Sequence, residues 1–412
     1  MNSTLIKNIT LIGVVNGEVI ENTSIAIENG KIKEFGSDVS QNSSSYSHVI
    51  DCEDGFLMPG FVDAHVHLLA NGFRNEDYMR DPLSYYFYKG LNAAKLTLEA
   101  GITTVRDCGL ADYGFKLAAA EKLFPSPKIQ ISVMPLSITG GHFDVTLKSG
   151  HDMIVKYPGL PHPICNGVEG VIAKTREVAR AGADFIKVMA TGGTTSANDK
   201  TDDIQFNIKE LKAIVDEADR LDRKVATHCH GHGGLELSIK AGVHSIEHGT
   251  SVDKKNAKLM IDKNIFLVPT FSVMKNQEIA AKNRTLQENK IEGTLKLVEI
   301  HKENIELAYN QGVTMAMGTD SGVQEHGDNL GELDYFVKMG MSPLEAIITG
   351  TLNSAKCLAV EDSVGSIEVG KNADLVFTKK NPLDDISILK NRNNILMVFQ
   401  DGFVVKNLIG IP

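Results

Sequence analysis

Gly60-Phe61-Val62-Asp63-Ala64-His65-Val66-His67-Leu68-Leu69 is an apolar run that ends on two histidines. Alternate residues of a strand point to one face, so a strand here places Asp63, His65 and His67 on one side and Ala64, Val66 and Leu68 on the other. Two imidazoles at the end of an otherwise apolar strand are poor core filling. They are good metal ligands, because neutral imidazole is a common nitrogen donor to zinc and related ions. A bare pair of this kind is also met as solvated or hydrogen-bonded histidines, and the rest of the chain has to decide.

Downstream, four helices end in a small residue or Gln followed by Gly, and a β-rich run comes next: Ala100-Gly101, Ala181-Gly182, Ala241-Gly242 and Gln311-Gly312. Glycine past a helix end takes the left-handed conformation that stops the helix and launches a strand. Each following strand closes on a polar residue: Asp107, Lys187, His248 or Asp320. Polar residues at the carboxyl ends of successive parallel strands converge on one mouth of a (β/α)8 barrel. Strands are expected near 60–68, 101–108, 128–135, 184–190, 224–230, 244–248, 265–270 and 314–319. One helix is read directly: Leu211, Ile214, Val215, Ala218 and Leu221 recur at three- and four-residue steps. The segment 276–311 is expected to be added helix between the last two strands.

Both ends of the chain have a different texture. Residues 4–58 hold short β-segments separated by turn signals at Asn16-Gly17 and Asn29-Gly30, and the C-terminal part repeats this, with Asp401-Gly402 as its turn. The fold class expected is therefore α/β: a (β/α)8 TIM barrel over 59–361, with a small β-sandwich built from 1–58 plus 362–412.

The totals exclude several functions. A formal charge of −10 with no basic cluster argues against nucleic acid as a partner. No apolar run approaches a membrane span, and the N-terminus lacks a signal-peptide core. Five cysteines without CxxC spacing fit reduced thiols, read as small buried apolar side chains, in a cytoplasmic protein.

His65, His67, Lys187, His228, His248 and Asp320 thus stand at strand ends around one mouth. A buried lysine without a partner is costly, so Lys187 is either salt-bridged to a carboxylate or modified to a carbamate able to bridge two metals. The strand ending in Thr227-His228-Cys229-His230 offers two same-face histidines, and position alone does not say which binds metal. Cys229 between them is expected to point away. Arg106 and Asp107 are expected to form a structural ion pair. His151, His162, His232, His244 and His326 are read as surface or loop histidines. The acidic loop 198–203 is read as solvated, with attraction of a basic substrate side chain as the sharper alternative.

GFVDAHVH at 60–67, GITTVRDCG at 101–109, TGGHFD at 139–144, FIKVMATGG at 185–193, VATHCHG at 225–231, SIEHG at 245–249, GTDSG at 318–322 and HGDN at 326–329 together resemble the amidohydrolase superfamily over nearly the whole chain. Within it the chain is similar to the binuclear branch with a carboxylated lysine, which includes Xaa-Pro dipeptidase-like enzymes and zinc-dependent arginine carboxypeptidases. The resemblance implies that His65, His67 and Asp320 bind an inner divalent ion and His228 and His248 an outer one. N6-carboxylysine at Lys187 would bridge them, with carbon dioxide as the source of the carbamate and zinc as the expected metal. It implies hydrolysis of a peptide-type amide in a dipeptide or N-acyl amino acid by a bridging hydroxide, releasing a C-terminal amino acid. Asp320 would shuttle the proton, and His142 and His230 would contact the substrate carbonyl or carboxylate. A cyclic amide, hydantoin- or imidazolone-like, or an N-aryl amide or urea is the alternative substrate. Deaminases of the superfamily carry a glutamate three residues after the fifth-strand histidine, where this chain has Gly231. Beyond a small-molecule or dipeptide substrate, the expected partner is a second copy, in a homo-oligomer.

Overall fold

The computed structural model describes residues 3–70, 72, 75–194, 199–285 and 288–410. The chain opens with β1 (Ser3–Ile12), β2 (Val19–Glu28), β3 (Lys31–Gly36) and β4 (His48–Pro59). β2 and β3 are joined through Asn29 and Gly30, both at positive φ, the pair of left-handed residues that a two-residue hairpin demands.

From Phe61 the pattern changes to parallel strands alternating with helices. β5 (Phe61–Val66), β6 (Ile102–Asp107) and β7 (Lys128–Ile131) pair in parallel. So do β8 (Ile186–Met189), β9 (Val225–Cys229), β10 (Ser245–His248) and β11 (Phe266–Val268). Gly101, Gly182, Gly242 and Gly312 all have positive φ between 88° and 100°, as the helix-stop reading requires. The helix Ile208–Arg220 starts on a capping box of Asn207 and Glu210 and buries Leu211, Ile214, Val215 and Ala218. Segment 276–311 is helical in two pieces, Phe271–Lys282 and Glu288–Gln311.

Two irregular segments connect these sheets. Regular pairing of β7 stops at Ile131, short of the expected 135, because Val133 turns to φ 63° and Pro135 has no N–H to give. Leu136 still joins the ring, donating to the Lys187 carbonyl at 2.8 Å and accepting from Met189 N at 2.9 Å. The expected strand 314–319 is likewise an extended segment held by isolated bridges, Leu267 with Met315 and Val66 with Ser321. It lies between β11 and β5.

The chain then returns to the first sheet as β12 (Leu375–Thr378), β13 (Ile395–Gln400) and β14 (Phe403–Asn407). β12 pairs antiparallel with β4, so both ends of the chain share one seven-stranded sheet, ordered β14-β13-β12-β4-β1-β2-β3. This sheet fastens to the starts of the parallel strands. Lys128 reaches Asp374 and Asp401 at 2.7 Å, and Gln400 donates to the carbonyls of Thr103 and Ser126. No helix among the described residues is long and apolar enough to cross a membrane.

Phe399 is fully buried in the sheet's core with Leu57, Leu375, Phe377 and Met397. Phe399→Ala should cost about 3–5 kcal/mol of stability in urea unfolding. A loss below ~1 kcal/mol would show that the returning strands do not share the core of the first four.

Candidate functional site

Every side chain expected at the strand ends is buried there. His65, His67, Lys187, His228, His230, His248 and Asp320 are all at most 7% exposed. Asp320 Oδ1 lies 3.5 Å from His65 Nε2 and 3.3 Å from His67 Nε2. Ligand atoms of His65, His248 and Asp320 lie within 4.8 Å of one another, and so do those of His228, His230 and His248. His248 therefore belongs to both clusters and joins them. His142 joins from its loop, its ring stacked on His228 at 4.5 Å.

Local backbone geometry explains how neighbouring residues reach one centre. Strand alternation would send Glu247 and His248 to opposite faces. His248 instead adopts φ 68°, and both residues face the His65 ring. Asp320 sits at φ 57° and Thr270 at φ 53°. Left-handed non-glycine residues are strained and persist where their surroundings over-determine them. Here Asp63 accepts from both the amide and the hydroxyl of Thr319 and from Asn329. Glu332 accepts from the amides of Phe271 and Ser272, next to Thr270.

The imidazoles are oriented one nitrogen at a time. Nδ1 of His65 meets Glu247, Nδ1 of His67 meets the Gly109 carbonyl, Nδ1 of His230 meets the Thr250 hydroxyl and Nδ1 of His248 meets the Thr270 hydroxyl. The Thr270 hydroxyl donates to the Pro269 carbonyl, so it is free to accept from His248. The second ring nitrogen, Nε2, of His65 and His67 lies beside Asp320 Oδ1. His228 is the reverse: its Nε2 meets the Gly192 carbonyl, leaving Nδ1. Metal-binding histidines are held this way, one ring N–H given to a protein acceptor.

Burial holds the rings of His65, His228, His230 and His248 neutral. It lowers His65 to about 4, helped by the Lys187 charge, and His230 to about 3, helped by His142 and His301. Burial and then neighbouring cationic partners put His228 and His248 well below the usual range. Burial pushes the Asp320 carboxyl up, but His65 and His67 outweigh it and the net direction is down. The centre thus presents unprotonated imidazoles and an ionised carboxylate at neutral pH.

Lys187 Nζ is buried with no hydrogen-bond partner, and among the described residues no carboxylate pairs with it. The salt-bridged alternative for this lysine is absent from the described residues. A group that carries two oxygens between the two clusters fits an orphaned amine in this position, and neutral imidazoles with an aspartate are a donor set suited to zinc.

Other expectations divide. Cys229 does point away, its sulfur 3.5 Å from the Ser238 hydroxyl. Cys108 Sγ lies near His65 and Glu247, but burial pushes its thiol up to about 12. The Arg106–Asp107 ion pair does not form. Arg106 bonds Glu247 at 2.7 Å, whereas Asp107 accepts from the amides of Leu68 and Gly109. Consecutive strand residues face opposite ways, which is why the two part. His326 is more than a loop residue, since it bridges Thr97 and the His67 carbonyl. In the acidic loop, Asn198 lies outside the described residues. Asp199 is turned inward to His142 Nδ1 at 3.2 Å and to Gln205. Glu247, Thr250, Thr270 and His301 escape sequence reasoning; each anchors a ligand or its corner, and adjacency to His248 is the one signal that Glu247 offered.

Known proteins are similar to this chain in sequence and in fold. A model described as "Amidohydrolase family" matches residues 56–405. Ochratoxinase of Aspergillus niger is 32% identical, over 95% of this chain and 84% of the relative. An imidazolonepropionase of Clostridium tetani is 26% identical, over 95% and 92%. A solved Xaa-Pro dipeptidase with methionine bound in its active site superposes with a TM-score of 0.89 at 33% identity, covering 98% of this chain and 100% of that one.

Thr270→Val keeps the side-chain shape and the strained backbone but removes the acceptor of His248 Nδ1. A buried N–H left unpaired costs about 1–3 kcal/mol, and denaturant unfolding of the metal-free protein should show that loss. Unchanged stability would mean that His248 is not held from this side.

Proposed function

Because the chain belongs to the amidohydrolase family and is a hydrolase acting on C–N bonds, we propose that it cleaves a peptide-type amide, releasing a C-terminal amino acid from a dipeptide or N-acyl amino acid. The observation that carries this reading is the buried, unpartnered amine of Lys187 among five imidazoles and Asp320. The Xaa-Pro dipeptidase and ochratoxinase likenesses favour a linear amide. Opening of a cyclic amide is the second reading, favoured by the more distant imidazolonepropionase.

In this reading the barrel spans 59–361, with hydrogen bonds around the ring as support, and 1–58 plus 362–412 form one composite β-domain, whose strands belong to a single seven-stranded sheet rather than the two of the expected β-sandwich. His65, His67 and Asp320 would hold one divalent cation, and His228 and His248 a second. Lys187 would serve as N6-carboxylysine, formed when its nitrogen lone pair bonds to the carbon of carbon dioxide and one proton leaves. Bound zinc would supply water of lowered pKa and polarisation of the scissile carbonyl.

The chain's own residues do the remainder. Asp320, ionised and lodged between two imidazoles, takes a proton on its carboxylate and delivers it to the departing amine nitrogen, as base and then acid. His230, its Nδ1 accepting from the Thr250 hydroxyl in this reading, donates its Nε2–H to the substrate carbonyl. His142, held at Nδ1 by Asp199 and stacked on His228, faces the substrate carboxylate with its outer nitrogen as a donor. Gly193 is required beneath it, because a Cβ there would lie 2.0 Å from the His142 ring. The enzyme works in the cytoplasm as a homo-oligomer.

Metal analysis followed by a screen of dipeptides and N-acyl amino acids, read by amine release, tests the substrate class. Turnover confined to cyclic amides would overturn the linear-amide reading. Asp320→Asn should retain metal yet lose turnover by a factor of at least ~100, the lower range for a positioned acid–base group; wild-type rates would remove it from proton transfer. Lys187→Ala should lose the metal pair, with bicarbonate plus a short-chain acid restoring part of it. Undiminished metal in that variant would count against the carbamate bridge.

A further inference from the structure

We propose that Glu247 is a positioning residue for the inner metal site: anchored by Arg106, its carboxylate fixes the His65 tautomer and aims Nε2 at the cation. The inference rests on the preceding reading for the cation and on the geometry for everything else.

Glu247 Oε2 is 2.8 Å from His65 Nδ1, and Oε1 is 2.7 Å from Arg106 Nη2 and 2.6 Å from the Ser245 hydroxyl. An ionised carboxylate only accepts, so the shared proton lies on Nδ1. The His65 lone pair is thereby on Nε2, the atom 3.5 Å from Asp320 Oδ1. Arg106 cannot swing away, since its Nε donates to the Ala64 carbonyl at 2.6 Å and its guanidinium lies 5.1 Å over the Phe185 ring.

The three links come from β5, β6 and β10, and each side chain is at most 2% exposed. Solvent therefore does not compete for any of these bonds. A fully buried ion pair contributes little stability beyond an apolar replacement of similar volume. What an apolar replacement cannot supply is an acceptor for Nδ1. Among the three inner ligands, His65 has the anionic anchor, whereas His67 leans on a neutral carbonyl. A carboxylate behind a ligating imidazole raises its basicity as well as fixing its orientation.

The double variants R106M/E247L and R106M/E247Q remove the charges together, so neither leaves an unpaired ion inside the barrel. The Leu version has no acceptor for Nδ1; the Gln version keeps one. Zinc affinity of the metal-stripped proteins, measured by competition with a chromophoric chelator, should fall about 10–100-fold in the Leu variant. It should fall markedly less in the Gln variant. A Leu variant that melts as a folded protein and binds zinc like wild type would overturn the proposal, because a purely structural role would change the melting temperature and not the affinity. Should the Leu variant fail to fold, nitrogen-15 histidine spectra of metal-free wild type decide: His65 protonated on Nδ1 is expected, and protonation on Nε2 refutes it. Wild type that takes up no zinc would instead sink the functional reading, leaving the tautomer to judge Glu247.

Discussion

Three hydrogen bonds between β5 and the segment that returns some 250 residues later hold the whole arrangement together. Ala64 N donates to the Met317 carbonyl at 2.8 Å, Asp320 N to the His65 carbonyl at 2.7 Å and His67 N to the Ser321 carbonyl at 2.7 Å. They complete the ring of parallel segments, and the same three bonds carry Asp320 to the two histidines. Closing so long a loop costs entropy that grows only slowly with its length. What secures the contact is the buried network under it. Asp63 gathers Thr319 and Asn329, and burial pushes its carboxyl up to about 6 despite those donors. Fold closure and site assembly are one event.

The sequence was most legible where backbone chemistry has few solutions. Four glycines read as helix stops have left-handed φ, and the Asn29-Gly30 and Asp401-Gly402 turns form two-residue hairpins. The converging histidines, lysine and aspartate were legible because polar residues at strand ends have few other reasons to exist. The irregularity of 132–135 and 314–319, both expected as strand, was not, because hydrophobic pattern says nothing of Val133 taking a positive φ or of pairing reduced to isolated bridges. The Arg106–Glu247 pair was invisible for a related reason: its partners are 141 residues apart and meet as buried side chains of β6 and β10. Neighbouring Asp107 was the tempting partner, and strand alternation forbids it.

Strain and anchoring divide the labour at the mouth. His248 and Asp320 occupy backbone conformations that cost of order 1–3 kcal/mol each, and each is bound by contacts that reach beyond its own strand. Thr270, itself left-handed, supplies the hydroxyl beneath His248, and its corner is held in turn by Glu332 and by His301 on the Pro269 carbonyl. The helix Glu288–Gln311, an insertion by the measure of a minimal barrel, is therefore part of the site's support. Its His301 contributes no ligand yet fixes the peptide from which one is aimed.

Electrostatics gives the arrangement its direction. The buried imidazoles of His65, His228, His230 and His248 stay neutral, so their lone pairs are available, and Asp320 and Glu247 set negative charge beside them. Burial opposes the Glu247 charge, but Arg106 and Lys187 outweigh it and hold the carboxyl far below its usual range. The Lys187 amine has no such compensation from a bonded partner. An unmodified ammonium there would compete with, and repel, any divalent cation brought to the same imidazoles and Asp320. Conversion to an anion would reverse the sign of that one group, and imidazole lone pairs, Asp320 and the new carboxylate would then all favour a metal cation between them.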